Sequence, residues 1–339
     1  MIDNVKITLT NFSGDFNTCH YIGEGKYDSL YTLPSHGISK STKLFVRQNR
    51  NTKKVVITRS IRKWYFNKGS LLDLTEQSFT KAIKRLAKDL NIPLSELCKG
   101  KVTQCEIGQN IRVKIAATEI VPKIVDYGHI KRESIKNETV YFNGTAKKLI
   151  IYDKLAEIGA RGNKCKRGAM QVLKEKGYHF LRIEFKLFNQ KSFNQHEMKH
   201  VSTVGDLIIN FSNLYEFWTY QINRLVIFST IEMDMRNMSK KEDLIGSGLN
   251  NEGFVQFVEN YQSFCKSKSK TKSGLKVARS KAYKEVLSVL KKYGSRKKYG
   301  INSLRIDIAK HLLRKSKQEE INLPFLFRNL WGANVQHKV

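Results

Sequence analysis

The chain has 339 residues, with 61 lysines and arginines against 30 acidic residues and a formal net charge of +31. This length allows two domains, or one domain with an appendage. The positive charge exceeds what solubility requires and favours a polyanionic partner, most commonly nucleic acid. No run of about 18 apolar residues and no apolar signal stretch is found, so we expect a cytoplasmic protein without a membrane partner.

The five cysteines are scattered and form no C-x-x-C pair. They are Cys19, Cys98, Cys105, Cys165 and Cys265. This distribution argues against a disulfide framework or a thiolate zinc site and favours reduced thiols.

The first 70 residues contain strand-like runs and one basic-aromatic cluster. Alternating and β-branched segments predict mostly strands here. The cluster consists of Arg59, Arg62, Lys63, Trp64, Tyr65 and Phe66. We expect either that Arg62, Lys63 and Trp64 contact single-stranded DNA, or that the cluster is a strand with one aromatic face in the core.

A helix and a strand are predicted next. Apolar residues recur at helical spacing over residues 75–90. Beyond a short helical turn, a strand-like run places Glu106 on a polar face. This glutamate is either a functional carboxylate or an edge residue that faces water.

Residues 116–138 show no clear periodicity and are expected to form a helix and a loop. They include Asp126 and His129. His129 is a candidate metal ligand, with an exposed loop histidine as the alternative.

Two alternating runs within residues 138–188 form the centre of the sequence. The runs are KKLIIYDK and LRIEFKL, and both alternate with the period of half-buried strands. If these strands pair, Tyr152, Lys154 and Glu184 can point into one polar surface. An amphipathic hairpin with ordinary surface residues is the alternative.

This grouping of side chains suits phosphoryl transfer. A tyrosine hydroxyl can attack a phosphodiester and retain the product covalently. A metal ion on carboxylates can polarise the phosphoryl oxygens, and a lysine can offset the charge that develops on them.

Basic residues surround these candidates. Arg182 and Lys186 flank Glu184, and a basic loop over 160–168 carries Arg161, Lys164 and Arg167. We predict DNA contacts for these five cations, with a mobile surface loop as the alternative for 160–168.

The H-E-x-x-H pattern at 196–200 matches the zinc-protease motif. Its flanks are polar and poorly helical, whereas the motif requires the middle of a helix. We therefore interpret this segment as a polar linker.

The C-terminal third changes character. A long apolar helix is predicted over 203–235, and a polar, glycine-containing linker over 236–251. Residues 252–339 read as basic and all-helical, which favours a DNA-binding region. We thus expect a catalytic domain over 1–235, with halves 1–100 and 101–235, before this region.

The central motifs resemble a known family. The run Tyr152-Asp153-Lys154-Leu155-Ala156-Glu157 after Leu-Ile-Ile, followed by Leu181-Arg182-Ile183-Glu184, resembles the replication initiators of filamentous phages, the gene II proteins, and related rolling-circle plasmid initiators. The opening MIDNVKITL and the strand around Glu106 are similar as well. The resemblance spans roughly residues 1–235.

The resemblance implies a nicking-joining endonuclease that acts in a bacterial host. Tyr152 would attack one phosphate of a single-stranded or supercoiled replication origin, keep the 5′-phosphate and release a 3′-OH. Glu106 and Glu184 would hold Mg²⁺ or Mn²⁺. Lys154 would assist the leaving oxygen or steady the phosphate. Host helicase and polymerase would be partners.

The sequence departs from this pattern at three points. Glu106 stands where an aspartate is expected. No two histidines lie two residues apart, so the metal site must be carboxylate-based, with His129 as a possible ligand. A second tyrosine is not identifiable, and Tyr127 and Tyr141 are candidates by proximity alone.

We therefore expect an α+β fold: a mainly antiparallel β-sheet nuclease core with flanking helices and a basic all-helical C-terminal region. The predicted function is initiation of rolling-circle replication. A single-strand DNA transposase or mobilisation relaxase is the first alternative, and a non-enzymatic nucleic-acid-binding protein is the second.

Overall fold

A computed structural model describes most of the chain. The described residues are 1–36, 42–67, 71–128, 130, 132–135, 138–161, 164–193, 198–228, 238–252, 254–267, 271–293, 301–317, 323 and 326, with the backbone alone at 161, 164–166, 255, 266, 272, 275, 276, 279, 291, 301 and 302. The chain divides into two compact units. The first comprises Met1–Val121, Ile130–Arg224 and Asp307–Val339, and the second comprises Pro122–His129 and Leu225–Ile306.

The first unit is built on a ten-stranded antiparallel sheet. Its strands are β1 Ile2–Leu9, β2 His20–Glu24, β3 Asp28–Pro34, β4 Lys43–Asn49, β5 Val55–Thr58, β6 Lys101–Val113, β8 Arg132–Ile135, β9 Thr139–Asn143, β10 Lys147–Asp153 and β11 His179–Leu187. They lie in the order β2-β3-β4-β5-β1-β6-β11-β10-β9-β8. The predicted α+β class with a mainly antiparallel sheet is confirmed.

Helices flank this sheet. They are α1 Ile61–Phe66, α2 Glu76–Asp89, α3 Leu94–Lys99, α4 Ala117–Ile120, α5 Lys154–Arg161, α6 Lys164–Glu175, α7 Gln190–Phe193, α8 Val204–Ile209 and α9 Asn213–Ile222. At the centre of the sheet, Trp218 of α9 donates from Nε1 to the carbonyl of Ile183 at 3.2 Å, and Phe217 packs edge-on against Phe185. One face of the central strands is therefore apolar and covered, which leaves the opposite face for polar side chains.

The second unit has its own apolar core. It contains the two-stranded sheet of β7 Ile124–Tyr127 and β12 Leu225–Ile227, and the helices α10 Lys240–Glu252, α11 Phe254–Ser267 and α12 Lys272–Tyr293. A short 3-10 turn, Val121–Lys123, precedes β7, and α13 Ile301–Lys315 contains the boundary between the units. A Cβ at Gly248 would lie 2.1 Å from Phe257 Cε2, so a glycine is needed there for α10 and α11 to pack.

Several local predictions are wrong. Residues 61–66 form a helix instead of a strand, because the Ser60 side chain accepts from Lys63 N and caps it. The predicted long helix over 203–235 is α8, α9 and β12 in its described part, because a turn at Asn210–Ser212 interrupts it. The basic loop over 160–168 is largely the end of α5 and the start of α6.

The predicted linker over 236–251 is also corrected. Residues from Lys240 onward form α10, whose Ile245 and Leu249 are buried in the core of the second unit. The division between the units consequently does not coincide with the predicted boundary. The described part of 252–339 is helical, as predicted, in α11, α12 and α13. The ambiguous segment 116–138 supplies the strand β7.

A buried histidine gives the first unit a testable pH dependence. His311 of α13 lies 2.9 Å from Gln109 Oε1, and burial lowers its pKa to about 4, although Asp73 opposes the shift. As pH falls, the His311 side chain therefore binds a proton near pH 6.5 in the unfolded chain but only near pH 4 in the folded chain. We expect this difference to lower the free energy of unfolding by roughly 3 kcal/mol as pH falls from about 6.5 to about 4.

The measurement is urea unfolding of the wild type and His311→Gln at several pH values. A glutamine amide can still donate to Gln109 but does not titrate. The variant should lose less stability than the wild type between about pH 6.5 and 4. If the free energy of unfolding changed equally with pH in both proteins, His311 would not be the group responsible.

Candidate active site

A cavity of about 440 Å³ opens over the polar face of β1, β6, β10 and β11. Its lining includes Asp3, Lys63, Glu106, Tyr152, Glu184 and Lys186. Predicted residues from three separate parts of the sequence thus meet in one place. All of them belong to the first unit.

Strand register brings the predicted residues together. In β10 and β11, Ile150 lies opposite Glu184 and Tyr152 lies opposite Arg182. In β11 and β6, Lys186 lies opposite Glu106. Because side chains alternate along a strand, these polar residues share the face that α9 does not cover.

A β-bulge in β1 adds two residues that the sequence did not reveal. Ile2 pairs with Ile107 and Val5 pairs with Cys105, so β1 has one residue more than β6 over this interval. Ile2 and Val5 are buried in the core, and Asp3 and Asn4 both line the cavity. Asn4 Nδ2 donates to Glu106 Oε2 at 2.8 Å, which holds that carboxylate in place.

The Arg182 guanidinium donates hydrogen bonds to several polar side chains of the site. It donates from Nη2 to Asp3 and from Nε to Glu184 Oε2, each at 2.9 Å. From Nη1 it donates to Asp73 at 2.9 Å and to Asn110 Oδ1 at 3.2 Å. Its side chain has no exposed surface. The predicted contact of Arg182 with DNA is therefore wrong, since these buried partners occupy its donors.

The basic-aromatic cluster is likewise mostly internal. Arg62 is buried and donates to Asp3 Oδ2 at 2.9 Å. Trp64 is fully buried and donates to the carbonyl of Pro34 at 3.1 Å. The predicted DNA contacts of Arg62 and Trp64 are wrong because the helix α1 turns both inward. Lys63 lies in the cavity lining and stays a candidate.

The three carboxylates differ in their affinity for protons. Burial raises the pKa of Asp3, but Arg62 and Arg182 outweigh it and hold that pKa well below its usual range. Glu184 also has a lowered pKa, since Arg182 overcomes the effect of burial. Burial, reinforced by the charge of Glu184, raises the pKa of Glu106 to about 7. Lys186, which pairs with Glu106, opposes this rise but does not cancel it.

Asp3, Glu106 and Glu184 form a possible cation site. One carboxylate oxygen from each lies within 4.8 Å of the others. An all-oxygen set suits hard divalent cations such as Mg²⁺ or Mn²⁺. The Lys186 ammonium contacts Glu106 and lies 3.5 Å from Glu184 Oε1, so a positive charge already bridges two of the three. The other predicted ligand, His129, lies outside the described residues.

Tyr152 is partly buried with its hydroxyl in the cavity. The hydroxyl donates to Glu184 Oε2 at 3.4 Å. Burial, and then the charge of Glu184, raises the pKa of the phenol well above its usual value. Tyr152 is therefore protonated at neutral pH.

Lys154 is not among the residues that line the cavity. It begins α5, is fully buried, and its Nζ is 2.7 Å from Glu157 Oε2. Burial lowers its pKa, although Glu157 opposes the shift. The predicted contact of Lys154 with the phosphate does not fit this position. Among the described residues, the cations that line the cavity are Lys63 and Lys186.

The structure places the remaining predicted residues as follows. Arg167 is exposed on α6, and the side chains of Arg161 and Lys164 lie outside the described part of the chain. Tyr141 lines the cavity, whereas Tyr127 is buried in β7 of the second unit. His196 and Glu197 of the H-E-x-x-H pattern lie outside the described residues.

Sequence reasoning missed Asp3, Asn4 and Asp73. Asp3 and Asn4 carried a weak signal, because apolar residues three apart at Ile2 and Val5 break strand alternation as a bulge does. Asp73 acts through Arg182, which only the folded structure brings near it. Glu157 stood in the Tyr152–Glu157 run, and its spacing of three residues from Lys154 is a local helical signal for their ion pair.

Comparison with known proteins identifies the family. No curated protein and no solved structure matches the chain. In the described stretches, no helix combines the length and apolar character needed to cross a membrane. The family model for the N-terminal part of the replication-associated gene II protein matches residues 1–206, more than half of the chain. The chain belongs to this family of phage replication-associated proteins, which confirms the predicted likeness to filamentous-phage gene II initiators.

Proposed function

We propose that this protein is a metal-dependent endonuclease that nicks and rejoins one DNA strand at a replication origin, with Tyr152 as the nucleophile. One observation carries the proposal. The Tyr152 hydroxyl lies 3.4 Å from Glu184, in the cavity where Asp3, Glu106 and Glu184 converge. A polar cavity with a nucleophile, clustered carboxylates and perturbed pKa values is the pattern of an active site.

The reaction is a transesterification. Tyr152 Oη attacks the phosphorus, the new O–P bond forms, and the bond from phosphorus to the 3′ oxygen breaks. The phenol proton passes by way of Glu184 Oε2, its hydrogen-bond acceptor, to water. The 3′ oxygen takes a proton from water, so that Glu184 is ionised again and no net proton is gained or lost. The products are a 5′-phosphotyrosine and a 3′-OH. The reverse reaction reseals the strand without ATP, because the phosphotyrosine conserves the phosphodiester energy.

The cations of the cavity would counter the charge of the reacting phosphate. Lys63 and Lys186 line the cavity and are the protein's own source of positive charge at the phosphoryl oxygens. Mg²⁺ or Mn²⁺ held by Asp3, Glu106 and Glu184 would polarise these oxygens when bound. Burial is the main cause of the raised pKa of Glu106, and the charge of Glu184 adds to it. A divalent cation beside both carboxylates would oppose this second effect.

Lys154 is a positioning residue in this proposal. Its ammonium holds Glu157, which lines the cavity on the first turn of α5, directly after Tyr152 and Asp153.

The backbone amides of Leu155 and Ala156 donate to Asp153 Oδ1 at 2.9 and 3.0 Å. These bonds fix the junction between β10 and α5, and so the position of the phenol.

The nucleophile is tested with Tyr152→Phe. A pool of single-stranded oligonucleotides with origin-derived and random sequences is incubated with Mn²⁺, and covalent adducts are detected by denaturing electrophoresis and peptide mass spectrometry. We expect adducts on Tyr152 in the wild type and a loss of at least about 1,000-fold in Tyr152→Phe, since no hydroxyl remains to attack. Tyr141→Phe is the matched control, because this second tyrosine lines the same cavity. An undiminished adduct in Tyr152→Phe would rule out this nucleophile.

The cation site is tested with Asp3→Asn, which keeps the shape of the side chain but removes its charge. The Mn²⁺ concentration for half-maximal adduct formation should rise at least about tenfold. Asp73→Asn is the control, because Asp73 pairs with the same Arg182 but lies outside the carboxylate cluster. Both variants should lose stability in urea, whereas the metal requirement of Asp73→Asn should stay within about twofold of the wild type. Equal metal titrations for all three proteins would remove Asp3 from the proposed ligands.

A further inference from the structure

A second cavity of about 230 Å³ adjoins the candidate active site. The two cavities share Asn4, Glu106 and Lys186 in their linings. The second cavity is also lined by Lys6, Thr58, Arg59, Gln104 and Phe188. Lys6 lies opposite Gln104 in the pairing of β1 with β6, so the cavity continues along the same sheet face toward the β5 side.

Arg59 is held in a strained backbone conformation at the edge of this cavity. Its φ is +94°, a region that costs a residue with a Cβ free energy and favours glycine. The positive φ joins the end of β5 to Ser60, which caps α1 and donates to Asp3. A glycine would make this turn with less strain. The presence of an exposed arginine there points to a use for its side chain.

The cavity combines positive charge with an exposed aromatic ring. The Arg59 guanidinium lies over the Phe45 ring at 4.7 Å, which orients it without neutralising it. Lys6 and Lys186 add two cations, and Glu106 is paired with Lys186 and Asn4. Phe188 is 37 % exposed and offers a face for stacking.

We propose that this cavity binds the nucleotide next to the scissile phosphate, with Arg59 and Lys6 on its phosphate and Phe188 against its base. The inference rests on the proposed function for the identity of the scissile phosphate. The occupant is a single-stranded nucleotide, because a base in a duplex has both faces stacked and is not free to contact Phe188. Continuity with the active-site cavity fixes the nucleotide as an immediate neighbour of the reacting one.

The test measures binding in EDTA, so that no cleavage interferes. The probes are a fluorescent dT20, a 20-residue abasic strand of the same charge and a dT20–dA20 duplex. The proteins are the wild type, Arg59→Gly, Phe188→Ala and the control Arg47→Ala. Arg47 is an exposed arginine of β4 that pairs with Asp28, and its loss removes one positive charge away from the cavity.

Each variant has its own expected signature. Phe188→Ala should weaken dT20 binding roughly 5- to 100-fold and leave the abasic strand unchanged, because only a base can stack. Arg59→Gly should weaken both single strands roughly tenfold and lower the salt slope by about 1. Its Tm should be unchanged or higher by up to about 4 °C, because the strained φ is relieved. Arg47→Ala should change the affinity less than about twofold.

Two results with these variants would overturn the inference. One is a Phe188→Ala variant that loses equal affinity for dT20 and the abasic strand, or none for either. The other is an Arg59→Gly variant that binds like the wild type, or whose Tm falls along with its affinity, which would make Arg59 a structural residue. Duplex binding as tight as that of dT20 would also exclude a single-stranded occupant. Since covalent adducts are scored separately with Tyr152→Phe, failure here is distinguishable from failure of the nicking reaction.

Discussion

The candidate active site depends on one buried guanidinium. Arg182 donates to Asp3, Asp73 and Glu184, which come from β1, from the segment before α2 and from β11. Removing an arginine from water costs free energy. Hydrogen bonds from its guanidinium N–H groups to charged acceptors can offset this cost when most of these groups are paired. Here those acceptors include the carboxylates that converge in the cavity. Gly108, opposite Glu184, makes room for this group, since a Cβ there would lie 3.0 Å from Arg182 Nη2.

The same interaction divides the carboxylates by role. Arg182 and Arg62 keep Asp3 ionised, and Arg182 keeps Glu184 ionised. The Lys186 ammonium and the Asn4 amide are partners of Glu106. Glu184 is shared by Arg182, which also pairs with Asp3, and by Lys186, which also pairs with Glu106. In the proposed reaction, the phosphate and a bound cation would meet a carboxylate cluster that these two side chains already link.

Local alternation was enough to predict much of this arrangement. Tyr152 and Glu184 share a face because β10 and β11 alternate with period two and pair antiparallel. Glu106 was found for the same reason, as a carboxylate on the polar face of β6. The large antiparallel sheet follows from the number and spacing of such runs. These features are determined by neighbours one or two residues apart, which sequence patterns record.

The errors share a different physical cause. Arg182 was predicted to contact DNA, and Lys154 to act on the phosphate, because a strand or helix pattern cannot show what covers a side chain. Asp73, the partner of Arg182, carries no sequence signal of that contact. Asp3 was missed because a bulge, which exists only in the pairing of β1 with β6, turns two successive residues to one face. The bulge also places Asp3 beside Glu106 and Glu184, where we propose a cation site. Regular alternation counted back from the buried Val5 would turn Asp3 to the core face and away from Glu106. Arg182 would then face Glu184 without the third carboxylate. The bulge in β1 and the buried Arg182 thus support each other. The bulge places Asp3 where it accepts from the Arg182 guanidinium, and the guanidinium keeps the Asp3 carboxylate ionised.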